Sequence, residues 1–134
     1  MRVIFYNTKR EEEVVLERIR DCGDSVEFQM IIKHDPFYVK SSVSFSNKAI
    51  ISFCDHLAEL KAFRSSKATL SSLDIDLSLS LVLDAKTGII EIVVSVYKGT
   101  KGHLHFEFLM DQSFIDELIL QLKETLGTPA NLRV

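Results

Sequence analysis

The stretch Leu73-Asp74-Ile75-Asp76-Leu77-Ser78-Leu79-Ser80-Leu81-Val82-Leu83 decides the fold class. Leucine or isoleucine fills every second position, and Asp or Ser fills nearly all the others. Successive side chains of a strand point to opposite faces, so such a run has one apolar and one polar face. A strand of that kind belongs to an antiparallel sheet that is packed on one side and wet on the other.

The pattern continues on both sides of this run. Asp84-Ala85-Lys86-Thr87-Gly88 supplies a hairpin loop, with Gly88 suited to a left-handed position. Ile90, Ile92, Val94 and Val96 then share one face, while Glu91, Ser95 and Tyr97 take the other, with Ile89 and Val93 beside them. Gly99-Thr100-Lys101-Gly102 makes the next turn, and Leu104, Phe106, Phe108 and Met110 face the core opposite His103, His105 and Glu107. Asp111 is placed to cap a helix whose apolar side holds Phe114, Ile115, Leu118, Ile119, Leu122 and Leu126. Gly127 and Pro129 end it.

Upstream, the signals have the same order. Val3–Tyr6 reads as a short edge strand and Asn7–Glu13 as a charged turn. Val14–Arg20 is β-branched enough for a strand but also fits a helix. Val26, Phe28, Met30 and Ile32 alternate with Glu27, Gln29, Ile31 and Lys33 up to the break at Asp35-Pro36. Phe37, Val39, Val43 and Phe45 form the return strand. Ser46 or Asn47 caps a helix with Ile50, Phe53, Leu57 and Leu60 on its apolar stripe, ending near Phe63. Residues 64–72, with four serines and two basic residues, read as a loop too short to separate independent domains.

The expectation is therefore a single α+β domain spanning residues 1–134, with halves at 1–63 and 73–134. Each half is three strands followed by a helix. The architecture is two-layer: one mainly antiparallel sheet of about six strands, both helices on one face, and the opposite face open to water. A chain of 134 residues buries roughly two-thirds of its unfolded surface, enough for a core without metal or disulfide.

The bulk numbers narrow the function classes. A hydrophobic fraction of 46% and a charged fraction of 26% describe an ordinary folded protein. The net charge of −3 disfavours nucleic acid, whose phosphates require a basic surface. The cations Arg18, Arg20, Lys33, Lys40, Arg64 and Lys67 are scattered, and only Tyr38 stands near one of them. Cys22 and Cys54 lack the spacing of a metal or redox pair and read as free thiols in a reducing compartment. No apolar run has the length of a membrane span, and the first residues do not form a signal peptide. A cytoplasmic location follows as the expectation.

Candidate chemistry gathers on the open face. Asp74 and Asp76 stand on one strand, Glu91 and Tyr97 on the next, and His103, His105 and Glu107 on the last. The two histidines of His103-Leu104-His105 lie about 7 Å apart on one side of a strand. With nearby carboxylates they are weak candidates for a divalent metal, though no third histidine supports them. An acid/base role for Asp74 and Asp76 needs desolvation that an open face does not supply. Cys54 falls on the buried stripe with His56 turned away, and no G-x-S-x-G or phosphate-binding glycine motif is present. The residues thus expect no catalytic site and no cofactor. A flat face of mixed charge suits a protein partner, and an exposed sheet edge permits a homodimer.

The run Leu73–Leu83, the hairpin at Gly88, and above all Phe106-Glu107-Phe108-Leu109-Met110-Asp111-Gln112-Ser113-Phe114 leading into Glu117-Leu118-Ile119 resemble the WapI-type immunity proteins of bacterial polymorphic toxin systems. The resemblance covers about residues 70–126. It implies a non-enzymatic protein that binds and blocks a cognate toxin, often a nuclease with a basic groove. Asp74, Asp76, Glu91, Tyr97, His103, His105 and Glu107 are then the partner-facing residues. Two other readings stay open: an adaptor or structural domain with another partner, and a small metal- or ligand-binding protein using His103 and His105.

Overall fold

Among the described residues, alternating apolar residues build eight strands, and the two amphipathic stretches build two helices. The structure is a computed structural model that describes residues 2–6, 13–73, 77–97 and 103–126. The first half contains β1 (Arg2–Tyr6), β2 (Glu13–Asp21), β3 (Ser25–His34), β4 (Phe37–Ser46) and α1 (Asn47–Lys61). The second contains β5 (Lys67–Ser71), β6 (Leu77–Leu83), β7 (Ile89–Tyr97), β8 (His103–Asp111), a 3-10 turn at Gln112–Phe114, and α2 (Ile115–Thr125).

The strands form two separate antiparallel sheets of four, in the orders β1-β2-β3-β4 and β5-β6-β7-β8. This corrects the expected single sheet of about six strands, and each half is four strands and a helix rather than three. The second half starts inside the segment read as a loop. Lys67–Ser71 is a strand whose Ala68 and Leu70 are buried between exposed Lys67, Thr69 and Ser71. Leu73, expected to begin the next strand, is instead 59% exposed in the turn before β6. There Ser72 N–H donates to Leu77 O and Leu77 N–H donates to Ser72 Oγ. Those two bonds close the chain before the ladder begins.

The ambiguous stretch at Val14–Arg20 is strand, paired with β1 and β3. A bulge lies between Arg18 and Arg20. Its extra residue, Ile19, is turned out to solvent. The inner residues of both sheets join Ile50, Phe53, Cys54, Leu57 and Leu60 of α1 and Ile115, Leu118 and Leu122 of α2 in one continuous core. His34 of β3 stacks on Phe106 of β8 at 4.5 Å, so the two sheets touch through side chains.

Contrary to the expectation, the helices do not share one face of one sheet. Each crosses over to the first strand of the other half: α1 packs along β5 and α2 along β1. Gln121 of α2 accepts the Ile4 N–H of the β1 edge at 3.0 Å. The Phe114 and Tyr6 rings meet at 4.7 Å, inclined at 57°. The Arg18 guanidinium donates to Thr125 O at 3.3 Å, placing a cation at the C-terminal end of α2, where the helix dipole favours it.

Local signals fix the helix ends. Ser46 Oγ accepts the Ala49 N–H at 3.0 Å and is the cap of α1. Asn47 instead ties the helix start to the β2–β3 turn, donating from Nδ2 to Gly23 O. The other end closes with Phe63 N–H on Leu60 O and Arg64 N–H on Glu59 O, the pattern of a Schellman motif. Phe63 takes the left-handed position at φ +59° without being glycine. In the β6–β7 loop Gly88 has φ +73°, as its sequence position predicts. A side chain there would also meet Gln112 Nε2 at 3.1 Å. The expected turns at residues 7–12 and 99–102, and the Gly127 and Pro129 stop, lie outside the described residues.

Two opposite effects are expected from urea unfolding. Phe63→Gly raises stability by about 0.5–1 kcal/mol, because relief of about 1–2 kcal/mol of left-handed strain exceeds the added chain entropy. Gly88→Ala lowers stability by about 1–2 kcal/mol. It costs more than Gly23→Ala, since Gly23 shares the positive φ but has open space around it.

Candidate functional site

The outer face of the second sheet is assembled by register. Ser78 of β6 lies opposite Ser95 of β7, which lies opposite His105 of β8. The next row is Ser80, Val93 and Glu107, and the next is Val82, Glu91 and Leu109. Tyr97 faces His103 at one end of the ladder, and Ile89 faces Asp111 at the other. Thr69 extends the second row onto β5, with Oγ1 3.0 Å from Ser80 Oγ.

Glu91, Tyr97, His103, His105 and Glu107 are thus brought together on one face of two neighbouring strands. Asp74 and Asp76 lie outside the described residues. The Tyr97 and His103 rings stack at 4.3 Å, within 3° of parallel. His105 Nδ1 lies 2.9 Å from Ser95 Oγ, and its Nε2 lies 3.6 Å from Glu107. The two imidazole centroids are 6.0 Å apart and inclined at 54°. Each imidazole is held by a neighbour other than the second histidine. Among the described residues no three His, Cys, Asp or Glu side chains converge as metal ligands do.

One feature of the face was not anticipated. Val82, Ile89 and Leu109 place three apolar side chains among the polar ones, flooring a shallow depression whose lining is completed by Asp84, Thr87 and Glu91. Val82 and Leu109 signal it in the sequence, since each interrupts the polar parity of its strand.

The segment following β8 has a structural task. Asp111 Oδ1 accepts the Ser113 N–H at 2.9 Å and caps the 3-10 turn. The Ser113 backbone and side chain hold the Asp111 carboxyl below the usual carboxylate range. Gln112 lies over Gly88, and Phe114 reaches Tyr6. Cys54 is buried in the core, and that burial pushes its thiol above the ordinary range. His56 is exposed on the same helix. Neither arrangement gives Cys54 an activating base.

Two four-strand-and-helix halves with exchanged helices and open sheet faces define an α+β class. Among the solved structures that share it are a chain in the crystal structures of Trypanosoma bruciei MRP1/MRP2 and a chain in a guide RNA-binding protein complex bound to a gRNA. The first is 9% identical with a TM-score of 0.57, and the match covers 100% of this chain and 87% of that one. The second is 10% identical with a TM-score of 0.56, covering 100% of this chain and 93% of that one. At such identities the likeness is one of fold alone. No curated protein matches the sequence. The immunity protein WapI-like family matches residues 8–128, and the chain belongs to that family. The match takes in nearly all of the first half as well as the second, where the sequence resemblance was confined to about residues 70–126.

The burial difference between the thiols predicts their reactivity. With a disulfide reagent at neutral pH the native protein should release one equivalent rapidly, from exposed Cys22. The second, from buried Cys54, should appear only on unfolding. Two fast equivalents would show that the α1 packing opens.

Proposed function

We propose that this chain is an immunity protein that neutralises a cognate bacterial toxin by direct, non-catalytic binding, through the outer face of its second sheet. Membership of the WapI-like family carries the reading. The geometry supports the choice of surface. Glu91 and Glu107 place carboxylates on adjacent strands, beside the exposed ring of Tyr97. Aromatic residues are enriched in protein interfaces, and carboxylates steer a partner with a basic groove. The chain is proposed to act as one domain in the cytoplasm of the producing cell. No helix of the described residues is long and apolar enough to cross a membrane.

The fold is shared with a protein solved bound to a guide RNA, but this chain is a poor match for RNA. Its net charge is −3. Two cations of the first sheet are matched by carboxylates, Lys33 with Glu13 and Arg20 with Glu27, each at 3.2 Å. Paired cations offer little to phosphates. A protein partner is favoured.

The test uses the toxin domain encoded next to this gene. The purified chain should bind it and abolish its activity at one-to-one stoichiometry. Glu91→Lys together with Glu107→Lys should weaken binding by about tenfold or more, chiefly through a slower association rate at low salt. Wild-type binding with no loss in the double variant would move the interface off this face. No binding at all, or a metabolic gene in place of a toxin gene, would end the immunity reading.

A further inference from the structure

The depression at the hairpin end of this face has a composition that selects an occupant. Its floor is the three side chains Val82, Ile89 and Leu109, contributed by β6, β7 and β8. Ile89 is 43% and Leu109 53% exposed, so apolar surface faces solvent there. Glu91 stands between Val82 and Leu109 in the same cross-strand row. Among the described residues it has no ion-pair partner. Asp84 closes the hairpin side, with Oδ1 accepting the Lys86 N–H at 2.9 Å. Asp111 lies opposite Ile89 at the end of β8. Lys67, opposite Val82 on β5, is two strands from Glu91 and forms no ion pair with it among the described residues. The space is about 310 Å³, the low end of the range for ligand pockets and ample for one long side chain.

An apolar floor beside carboxylates complements a long cationic side chain. The methylene stem covers the aliphatic surface, and the charged head reaches the acids. Arginine fits better than lysine. Its flat guanidinium lies on apolar surface, is more weakly hydrated, and meets a carboxylate with two parallel donors. We infer that the Val82–Ile89–Leu109 depression is an anchoring pocket for an arginine side chain of the protein partner, with Glu91 as its carboxylate contact. This rests on the immunity reading for the identity of the partner, but the pocket's chemistry can be examined without it.

The probe is the capped tripeptide Ac-Gly-Arg-Gly-NH2, titrated into the isotope-labelled full chain and followed by amide NMR shifts. Versions with citrulline, norleucine or glutamate at the centre are run alongside. The arginine peptide should give saturable shifts centred on Val82, Ile89, Glu91 and Leu109. Citrulline keeps the stem but lacks the charge, and should bind about tenfold more weakly, as should glutamate. Leu109→Ser and Glu91→Gln should each weaken the arginine peptide. Both positions are on the surface of the sheet, so circular dichroism of the variants should match wild type. Absence of saturable shifts, shifts spread over other carboxylates, or norleucine binding as well as arginine would overturn the assignment. In the toxin assay Leu109→Asp should cost about tenfold or more in affinity. A toxin that binds wild type and Leu109→Asp equally would sink the pocket and leave the immunity reading standing. A toxin that binds neither would sink the immunity reading, and the peptide titration would still decide the pocket.

Discussion

The exchange of helices between halves is the constraint on which the rest of the structure depends. A four-stranded sheet has two edges, each a row of unpaired backbone groups that invites another strand. Here the outer edge of β1 is covered by α2, with Gln121 accepting the Ile4 N–H, and the outer edge of β5 is covered by α1. Each sheet therefore needs the other half's helix. The same exchange merges the apolar faces of both sheets into one core with the helices. The sheet faces turned away from that core are what remains for a partner.

How far the sequence discloses this depends on which physical quantity a pattern reports. Period-two alternation reports burial of one face, so β3, β4, β7 and β8 are legible nearly residue by residue, and β6 is legible from Leu77 onward, four residues later than the alternation begins. It does not report which strand is the neighbour, so one sheet and two sheets look alike. β5 was lost because an edge strand of five residues needs only two inward side chains. Ala68 and Leu70 stand among Lys67, Thr69 and Ser71, which is the composition of a loop. β2 was ambiguous for a different reason. Val15 lies on the outer side of the ladder yet is buried, flanked by Ile4 and Ile31 on the neighbouring strands. The bulge at Ile19 then shifts the parity. Val14-Val15-Leu16 consequently reads as apolar on every side.

The candidate surface divides along the same line. Glu91, Tyr97, His103, His105 and Glu107 share a face by parity alone, and parity is visible in one dimension. The depression is not. Val82, Ile89 and Leu109 meet only through the registers of β6 with β7 and of β7 with β8. Their one trace in the sequence is negative: an apolar residue where alternation calls for a polar one. Such breaks are easily passed over as noise in a long regular strand. On a solvated face they are more informative than the polar residues around them, because a polar side chain there needs no explanation.

The Asp111–Phe114 end of the segment that carries the family resemblance serves the frame, while Glu107 and Leu109 of the same segment lie on the face. Asp111 caps the turn into α2, Gln112 rests over Gly88, and Phe114 packs on Tyr6 of the other half. Together these contacts fix the β6–β7 hairpin, the end of β8 and the start of the exchanged helix relative to one another. Gly88 is required twice there, for its positive φ and for the room it leaves the Gln112 amide. The hairpin so held presents Asp84, Thr87 and Ile89 to the depression, opposite Leu109. Asp111, Gln112 and Phe114 thus set the geometry of the surface without occupying it, whereas Leu109 of the same run forms part of it. The side chains that would select a partner can differ on this frame without disturbing the contacts that hold it.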